Sequence, residues 1–437
     1  MRATRERAAR IAGEIAARLV DPTGVVTAVL APDNLDRNPG SPPRHPWRPG
    51  SLASGHPGIA LLFGELGGAD GRATMHAHLS AAVTGLHAGD TGLFGGLAGI
   101  GIAASFGARR PGEYAGLLRE IDDRVAAEVE ALLEPERSRL AAGVAGTRMG
   151  SFDLISGVTG LGRYLLHRRE TAGTLVAILD YLVGLTEPIT VGGTTMAGWW
   201  TPGSPSLITR EDPRYTMGHF NIGQAHGIAG PLALLALAYE AGVTVPGHEA
   251  AMDRICSWLR SQLRIGNGYA YWPSAVSLVE EVAGVPNGPS GDRSAWCYGT
   301  PGVAHSLHLA GRALDRPALR QEALDLLWHS IDRAERAGAL GDANLCHGWG
   351  GLLTIVCQVA GHDNSRPWQR LADRLAERTM SWCVPQVPFG VRHDPRHGKL
   401  ARDRPGLLEG AAGVALALHG YAIADVGGPG AAVLLLG

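Results

Sequence analysis

Residues 226–237 read HGIAGPLALLAL. Two glycines three apart, followed by an unbroken apolar run, set up a helix with a special start. Glycine permits a positive φ or a close backbone approach at such a turn, and a run apolar nearly all round marks a buried helix. The same pattern, G-x-x-G and then an apolar run, occurs seven times. In chain order the pairs are Gly55/Gly58, Gly96/Gly99, Gly157/Gly160, Gly227/Gly230, Gly299/Gly302, Gly348/Gly351 and Gly410/Gly413, which define repeats 1 to 7.

Ahead of most of these runs lies a second, amphipathic segment. Tyr114, Leu117, Leu118, Ile121, Val125, Val129 and Leu132 fall at helical spacing, as do Met252, Ile255, Leu259 and Leu263. So do Trp368, Leu371, Leu375 and Trp382, and at the start of the chain Ala8, Ile11, Ile15 and Leu19. Charged residues fill the other faces, the pattern of helices that bury one side. The unit is therefore an outer amphipathic helix, a connection, a glycine-marked turn and an inner buried helix. Seven such pairs predict an all-α fold, a closed ring with an inner barrel of helices wrapped by an outer one. An open solenoid is the alternative, and it needs polar-faced capping repeats at both ends. The last inner segment, GVALALHGYAIA (413–424), is no more polar than the others, which favours closure.

Composition narrows the function. The chain has 437 residues and a formal net charge of −2. No long basic block offers a surface for phosphate neutralisation, so nucleic acid is not an expected partner. The 62 glycines are about twice the usual ~7% share, but 45% hydrophobic content argues against low-complexity disorder. Length alone suggests about three domains; the repeats instead predict one domain over 1–437. The five cysteines are sparse for this length, as in a reducing compartment. The first residues, MRATRERAARIAGEIAARLV, lack the apolar core of a signal peptide. The apolar tail 431–436 is far short of the ~20 residues that span a bilayer. A cytoplasmic protein without a transmembrane segment is expected.

The repeats also align chemistry-bearing residues. Repeat 3 carries Asp153 four positions before its first glycine, and repeat 4 carries His226 one before. Cys297 of repeat 5 and Cys346 of repeat 6 both stand two before, and His347 one before. Glu409 stands one before in repeat 7. If every inner helix points the same way, these positions converge on one mouth, with Cys297 and Cys346 as neighbours. Cys297, Cys346 and His347 then form a Cys₂His set. Three protein donors with one open position is the pattern of catalytic zinc; the competing reading is that these are simply buried thiols. Cys256, Cys357 and Cys383 are read as core thiols within apolar helices. Asp153 is equally able to cap the helix start at 156–159, and Glu409 to act as a cap or a substrate contact.

The stretches DLISGVTGLG (153–162), NIGQAHGIAGPL (221–232), SAWCYGTPGV (294–303), LCHGWGG (345–351) and LLEGAAGVALAL (407–418) together resemble the LanC-type lanthionine synthetases, the lanthipeptide cyclases. The resemblance runs from about residue 51 to the last inner helix. It implies an α/α toroid, or double barrel, of seven helical hairpins, in agreement with the repeat count. It implies one Zn²⁺ per chain on Cys297, Cys346 and His347, and active-site roles for His226, Asp153, Arg293 and Tyr298. The implied reaction is Michael addition of peptide cysteine thiolates to dehydroalanine or dehydrobutyrine in a ribosomal precursor peptide. His226 is the candidate acid, Asp153 its orienting or charging partner, and Arg293 and Tyr298 the groups that stabilise an enolate oxygen or place the peptide. No dehydratase-sized segment precedes the repeats. The resemblance is thus to the stand-alone type, which implies a separate dehydratase as partner, an exporter complex, and peripheral membrane association through that assembly.

Residues 187–220 fit no shared motif and form a long insertion, with ITVGGTTMAGWWT (189–201) a candidate remnant of a small accessory module. Three other readings compete. One is an enzyme that adds glutathione to dehydroamino acids in peptides. Another is a zinc-stapled peptide-binding scaffold without chemistry, which predicts a closed metal site and unfolding on chelation. The last is an α/α-barrel glycosidase, which needs paired carboxylates and leaves the thiols without purpose.

Overall fold

Each of the seven glycine pairs starts a helix in the computed structural model, which describes every residue but 1, 38–40, 88, 170–171, 207–208, 267, 287–292, 364 and 394–402. The inner helices are His56–Leu66, Leu97–Gly107, Val158–Arg168, Ala229–Glu240, Thr300–Ala313, Trp349–Asp363 and Ala411–Ile423. A second set of helices accompanies them: Arg2–Ala17, Gly68–Thr84, Ala115–Ala141, Ala172–Leu185, His248–Ser261, Pro317–Ala337 and Arg366–Met380. Arg366–Met380 shows why these lie outside. It buries Trp368, Leu371, Leu375 and Met380 along one face. Its other face reaches Glu335 from Arg374 at 2.8 Å and Arg7 from Glu377 at 2.7 Å. Each fully buried Leu or Met contributes roughly 1.5–3 kcal/mol, whereas half-exposed ion pairs contribute about 0–1, so the apolar face decides the packing.

Both glycines of the motif sit where nearby loop backbone leaves no room for a Cβ. Gly299 has a φ of +103°, and a Cβ there would stand 1.6 Å from the Arg293 carbonyl oxygen. The second glycine lets the preceding loop lie directly on the first helical turn. A Cβ on Gly302 would meet the Trp296 carbonyl oxygen at 2.1 Å, and one on Gly413 would meet that of Leu407 at 1.9 Å. Gly302→Ala is expected to destabilise the protein by about 2–3 kcal/mol, as overpacking against backbone does. Urea unfolding measures this; a wild-type midpoint would contradict the close approach.

The chain groups into two compact units, Met1–Ile121 with Ala334–Gly437, and Asp122–Arg333. In the first, His56–Leu66 packs on Gly68–Thr84, Leu97–Gly107 and Ala411–Ile423. Ala411–Ile423 packs in turn on Trp349–Asp363 and on the N-terminal Arg2–Ala17. Repeat 7 thus lies against repeat 1, a contact that an open solenoid lacks. The apolar tail is core: Ala431 to Leu436 are buried. Among the described residues, no helix is long and apolar enough to cross a membrane.

In the second unit, Val158–Arg168 packs on Ala172–Leu185 and Ala229–Glu240, and Ala229–Glu240 on His248–Ser261 and Thr300–Ala313. The insertion is partly ordered as sheet. Ile189–Val191 pairs antiparallel with Thr194–Met196 across Gly192 and Gly193, both at positive φ, as a tight hairpin turn requires. Trp199, 1% exposed, meets Trp258 edge-on at 5.2 Å and ties the segment down. His219–Asn221 then pairs with Ala275–Ser277.

The loops before the glycines are stitched to one another. In the first unit, the Cys346 N–H donates to Leu408 O at 2.9 Å, Leu408 N–H to Ala53 O at 3.0 Å, and Ala53 N–H to Phe94 O at 3.2 Å. In the second, Leu154 N–H donates to Ala225 O at 3.1 Å and Ala225 N–H to Cys297 O at 3.2 Å. Ala53, Phe94, Ala225, Cys297, Cys346 and Leu408 all stand two residues before a first glycine. Leu154 stands three before Gly157, so the backbone ladder within each unit keeps this position in register from loop to loop except in repeat 3.

Candidate active site

Cys297 and Cys346 are ladder residues, so their backbones are fixed whatever their side chains do. The next position, one before the glycine, is His226 in repeat 4, Tyr298 in repeat 5, His347 in repeat 6 and Glu409 in repeat 7. Cys297, Cys346, His226, Tyr298 and His347 therefore share two adjacent positions of one repeated turn, whereas Asp153 and Arg293 stand further ahead of their glycines.

In Asp122–Arg333 the sequence candidates come together. Asp153 is 1% exposed. Its Oδ1 accepts the N–H groups of Ser156 at 2.6 Å and Gly157 at 2.8 Å, while its Oδ2 lies 2.5 Å from His226 Nδ1. The carboxylate binds the histidine and pins the turn ahead of Val158–Arg168; it does not cap that helix, whose N-cap, Gly157, makes no side-chain cap hydrogen bond. Burial pulls the His226 imidazolium towards neutrality. The hydrogen bond and charge of Asp153, with a smaller push from Cys297, outweigh it and raise the pKa above the usual imidazole value.

The Tyr298 ring lies 6.4 Å from the His226 ring at 28°, and its hydroxyl accepts from Asn221 Nδ2 at 3.2 Å. Burial pushes the Tyr298 phenol up to about 12, so its proton remains available for donation. Arg293, exposed, places its guanidinium 5.9 Å from the Tyr298 ring centroid. Asn221 was not found from sequence. Its one signal is the N-x-G spacing: Oδ1 accepts the Gly223 N–H at 3.1 Å, an Asx turn.

In the other unit, the loop carrying Cys346 and His347 is pinned from behind. Asp342 accepts the Asn344 N–H at 2.9 Å and lies 3.1 Å from His393 Nδ1. Asn344 Oδ1 accepts the His347 N–H at 2.8 Å, and its Nδ2 lies 3.2 Å from His347 Nε2. Burial raises the Asp342 carboxyl, but His393 and the Asn344 N–H outweigh that and lower it overall. A charged Asp342 is therefore the anchor of this turn. Neither Asn344, Asp342 nor His393 was singled out in the sequence.

Cys297 Sγ, Cys346 Sγ and a ring nitrogen of His347 lie within 4.8 Å of one another. Two sulfurs and an imidazole are donors that zinc takes at about 2.0–2.3 Å, with a fourth position left over. The donor set fits the ion.

The remaining thiols behave otherwise. Burial pushes Cys256, Cys357 and Cys383 up to about 12, which keeps them protonated at neutral pH. Cys383 is not within a helix, as its apolar context predicts, but beyond the end of Arg366–Met380, bridged to Val391. His56, at the start of the first inner helix, is 3% exposed, with Nδ1 2.9 Å from His78 Nδ1.

A family model described as "Lanthionine synthetase C-like protein" matches residues 46–425, and the chain belongs to that family. It is similar to the curated "Nisin biosynthesis protein NisC" of Lactococcus lactis subsp. lactis, 23% identical over 317 residues, which cover 70% of this chain and 72% of that one. It is also similar to a solved structure named "Nisin cyclase", with a TM-score of 0.71 and 22% identity over 89% of this chain and 92% of that one. The structural likeness shows the fold, an α/α toroid.

Proposed function

We propose that the protein is a zinc-dependent cyclase. It forms lanthionine or methyllanthionine rings by adding peptide cysteine thiols to dehydroalanine or dehydrobutyrine within one ribosomal peptide. The observation that carries this reading is the Cys297, Cys346 and His347 donor cluster. Family membership supports it. Bound there, zinc supplies a thiolate: three protein donors leave a position open, and a coordinating thiol, otherwise mostly protonated at pKa ~8.5, is deprotonated outright.

The chain's own residues handle what addition creates, a negative enolate oxygen and an unprotonated Cα. The Tyr298 hydroxyl and the Arg293 guanidinium are donors suited to the enolate oxygen. His226, held as imidazolium by Asp153, delivers the proton to Cα. The substrate is a peptide already dehydrated by a separate dehydratase, with an exporter complex as the next partner. A dehydrated peptide incubated with the protein and then with a thiol-alkylating reagent tests the reading. Ring closure leaves no thiol to alkylate; full alkylation contradicts cyclisation. Added glutathione that appears in the product instead of a ring would redirect the reading to addition in trans.

The pH dependence carries a sign. The acid form of His226 is populated below its raised pKa, so kcat is expected to fall as pH rises through a value above the ordinary ~6.5. Asp153→Asn keeps an oxygen for the turn but removes the charge. It is expected to move that limb to lower pH in a kcat–pH profile. An unmoved limb would assign the acid to another group.

A further inference from the structure

A cavity of about 560 Å³ opens in the unit built from the two chain ends, walled in part by Asp36, Arg44, Trp47, Arg48, Arg404 and Glu409. The volume lies within the ~300–1,000 Å³ of ordinary ligand pockets. Its lining includes Ala53 and Leu408, ladder residues of repeats 1 and 7, and the Leu408 carbonyl accepts the Cys346 N–H at 2.9 Å. The cavity is therefore one hydrogen bond along the ladder from a proposed metal donor. Ser54 and Glu409, also in its wall, hold the same place in their repeats as His226, Tyr298 and His347.

The wall is built rather than incidental. Arg404, 9% exposed, is gripped by Asp36 and by Glu409, the latter at 2.7 Å. Two carboxylates on one guanidinium leave that part of the wall with a surplus negative charge. The open side differs. Arg44 is exposed, with no ion-pair partner among the described residues. Arg48 meets Asp90 at 3.2 Å, but its side chain is 60% exposed, and a pair so wet is readily exchanged. Cationic groups thus edge a pocket that also offers an indole.

We propose that this cavity is a substrate subsite for a carboxylate-bearing segment of the modified peptide, with Arg44 and Arg48 as its specificity-determining residues. The proposal rests on the cyclase reading for the identity of the peptide. The carboxylate belongs either to the leader side or to the core side of the reacting cysteine.

Fluorescent dehydrated peptides with alkylated cysteine, which bind but cannot close a ring, test this by anisotropy. Two carry an Asp-Asp pair, one before and one after the cysteine; each has an Asn-Asn twin. One Asp-Asp peptide is expected to bind about tenfold more tightly than its twin at low salt, with the gap narrowing as salt screens the charges. Which arm shows the gap assigns the side. Arg44→Glu with Arg48→Glu is expected to close the gap and leave twin binding and zinc content unchanged. Equal binding of acidic and neutral peptides by the wild-type protein, or an equal loss of both in the variant, would overturn the subsite. A wild-type protein that cyclises dehydrated peptide yet shows no gap sinks the subsite alone. A gap without any cyclisation sinks the cyclase reading and supports the subsite.

Discussion

Cys297→Ala is expected to remove zinc and cyclisation together, with the rate falling by at least about 10²–10³. A few per cent thiolate at neutral pH, from a pKa of ~8.5, accounts for roughly thirtyfold of that loss. Lost positioning of the incoming sulfur supplies the remainder. The substitution isolates the side chain, because the ladder holds Cys297 through its backbone carbonyl, 3.2 Å from the Ala225 N–H, and alanine keeps that bond. Circular dichroism should therefore be unchanged while metal analysis falls from one zinc per chain towards none. Cys256→Ala is the matched control. That thiol is 4% exposed, and burial holds it up at about 12, so its loss should leave the metal in place. A Cys297→Ala protein that lacks zinc and still cyclises at the wild-type rate would end the metal account.

His226→Ala should separate chemistry from metal binding. A positioned general acid typically contributes 10²–10⁴-fold, and a loss of about that size in kcat is expected with zinc content intact. The variant also tests stereocontrol, since an acid fixed 2.5 Å from Asp153 protonates Cα from one side. Mixed diastereomers, resolved by chiral chromatography of the hydrolysed rings, are the expected signature. Unchanged rate and unchanged stereochemistry would move the acid elsewhere. Asp153 makes a poorer probe when truncated to alanine. Its Oδ1 accepts the Ser156 and Gly157 N–H groups of the turn, and leaving such buried donors unpaired costs about 1–3 kcal/mol in its own right. Asp153→Asn is the informative change.

The inner helices were legible because their glycines are forced by sterics. At Gly299 and Gly302 the loop backbone leaves no room for a Cβ, so the spacing persists while the apolar residues between vary. The ladder position of the cysteines followed from the same register. What escaped notice depends on partners remote in sequence. Asn221 sits at the end of a strand of three residues, too short for any alternation to be read, and it earns its place only by reaching Tyr298. His393 meets Asp342 from 51 residues away, a pairing that no periodicity announces. The insertion read as a loop because its strands are equally short; the hairpin at 189–196 was marked only by Gly192 and Gly193. Cys383 was misplaced because its apolar surroundings continue past the last turn of the helix that ends at Met380.

X-ray absorption at the zinc edge, on protein loaded with one equivalent of the metal, tests the donor set most directly. The expected spectrum fits two sulfurs at about 2.3 Å and one imidazole nitrogen at about 2.0–2.1 Å, with one light atom completing the tetrahedron. Addition of a dehydrated cysteine peptide should replace that light atom with a third sulfur. A spectrum with no sulfur, or one unchanged by the peptide, would contradict the assignment of Cys297, Cys346 and His347.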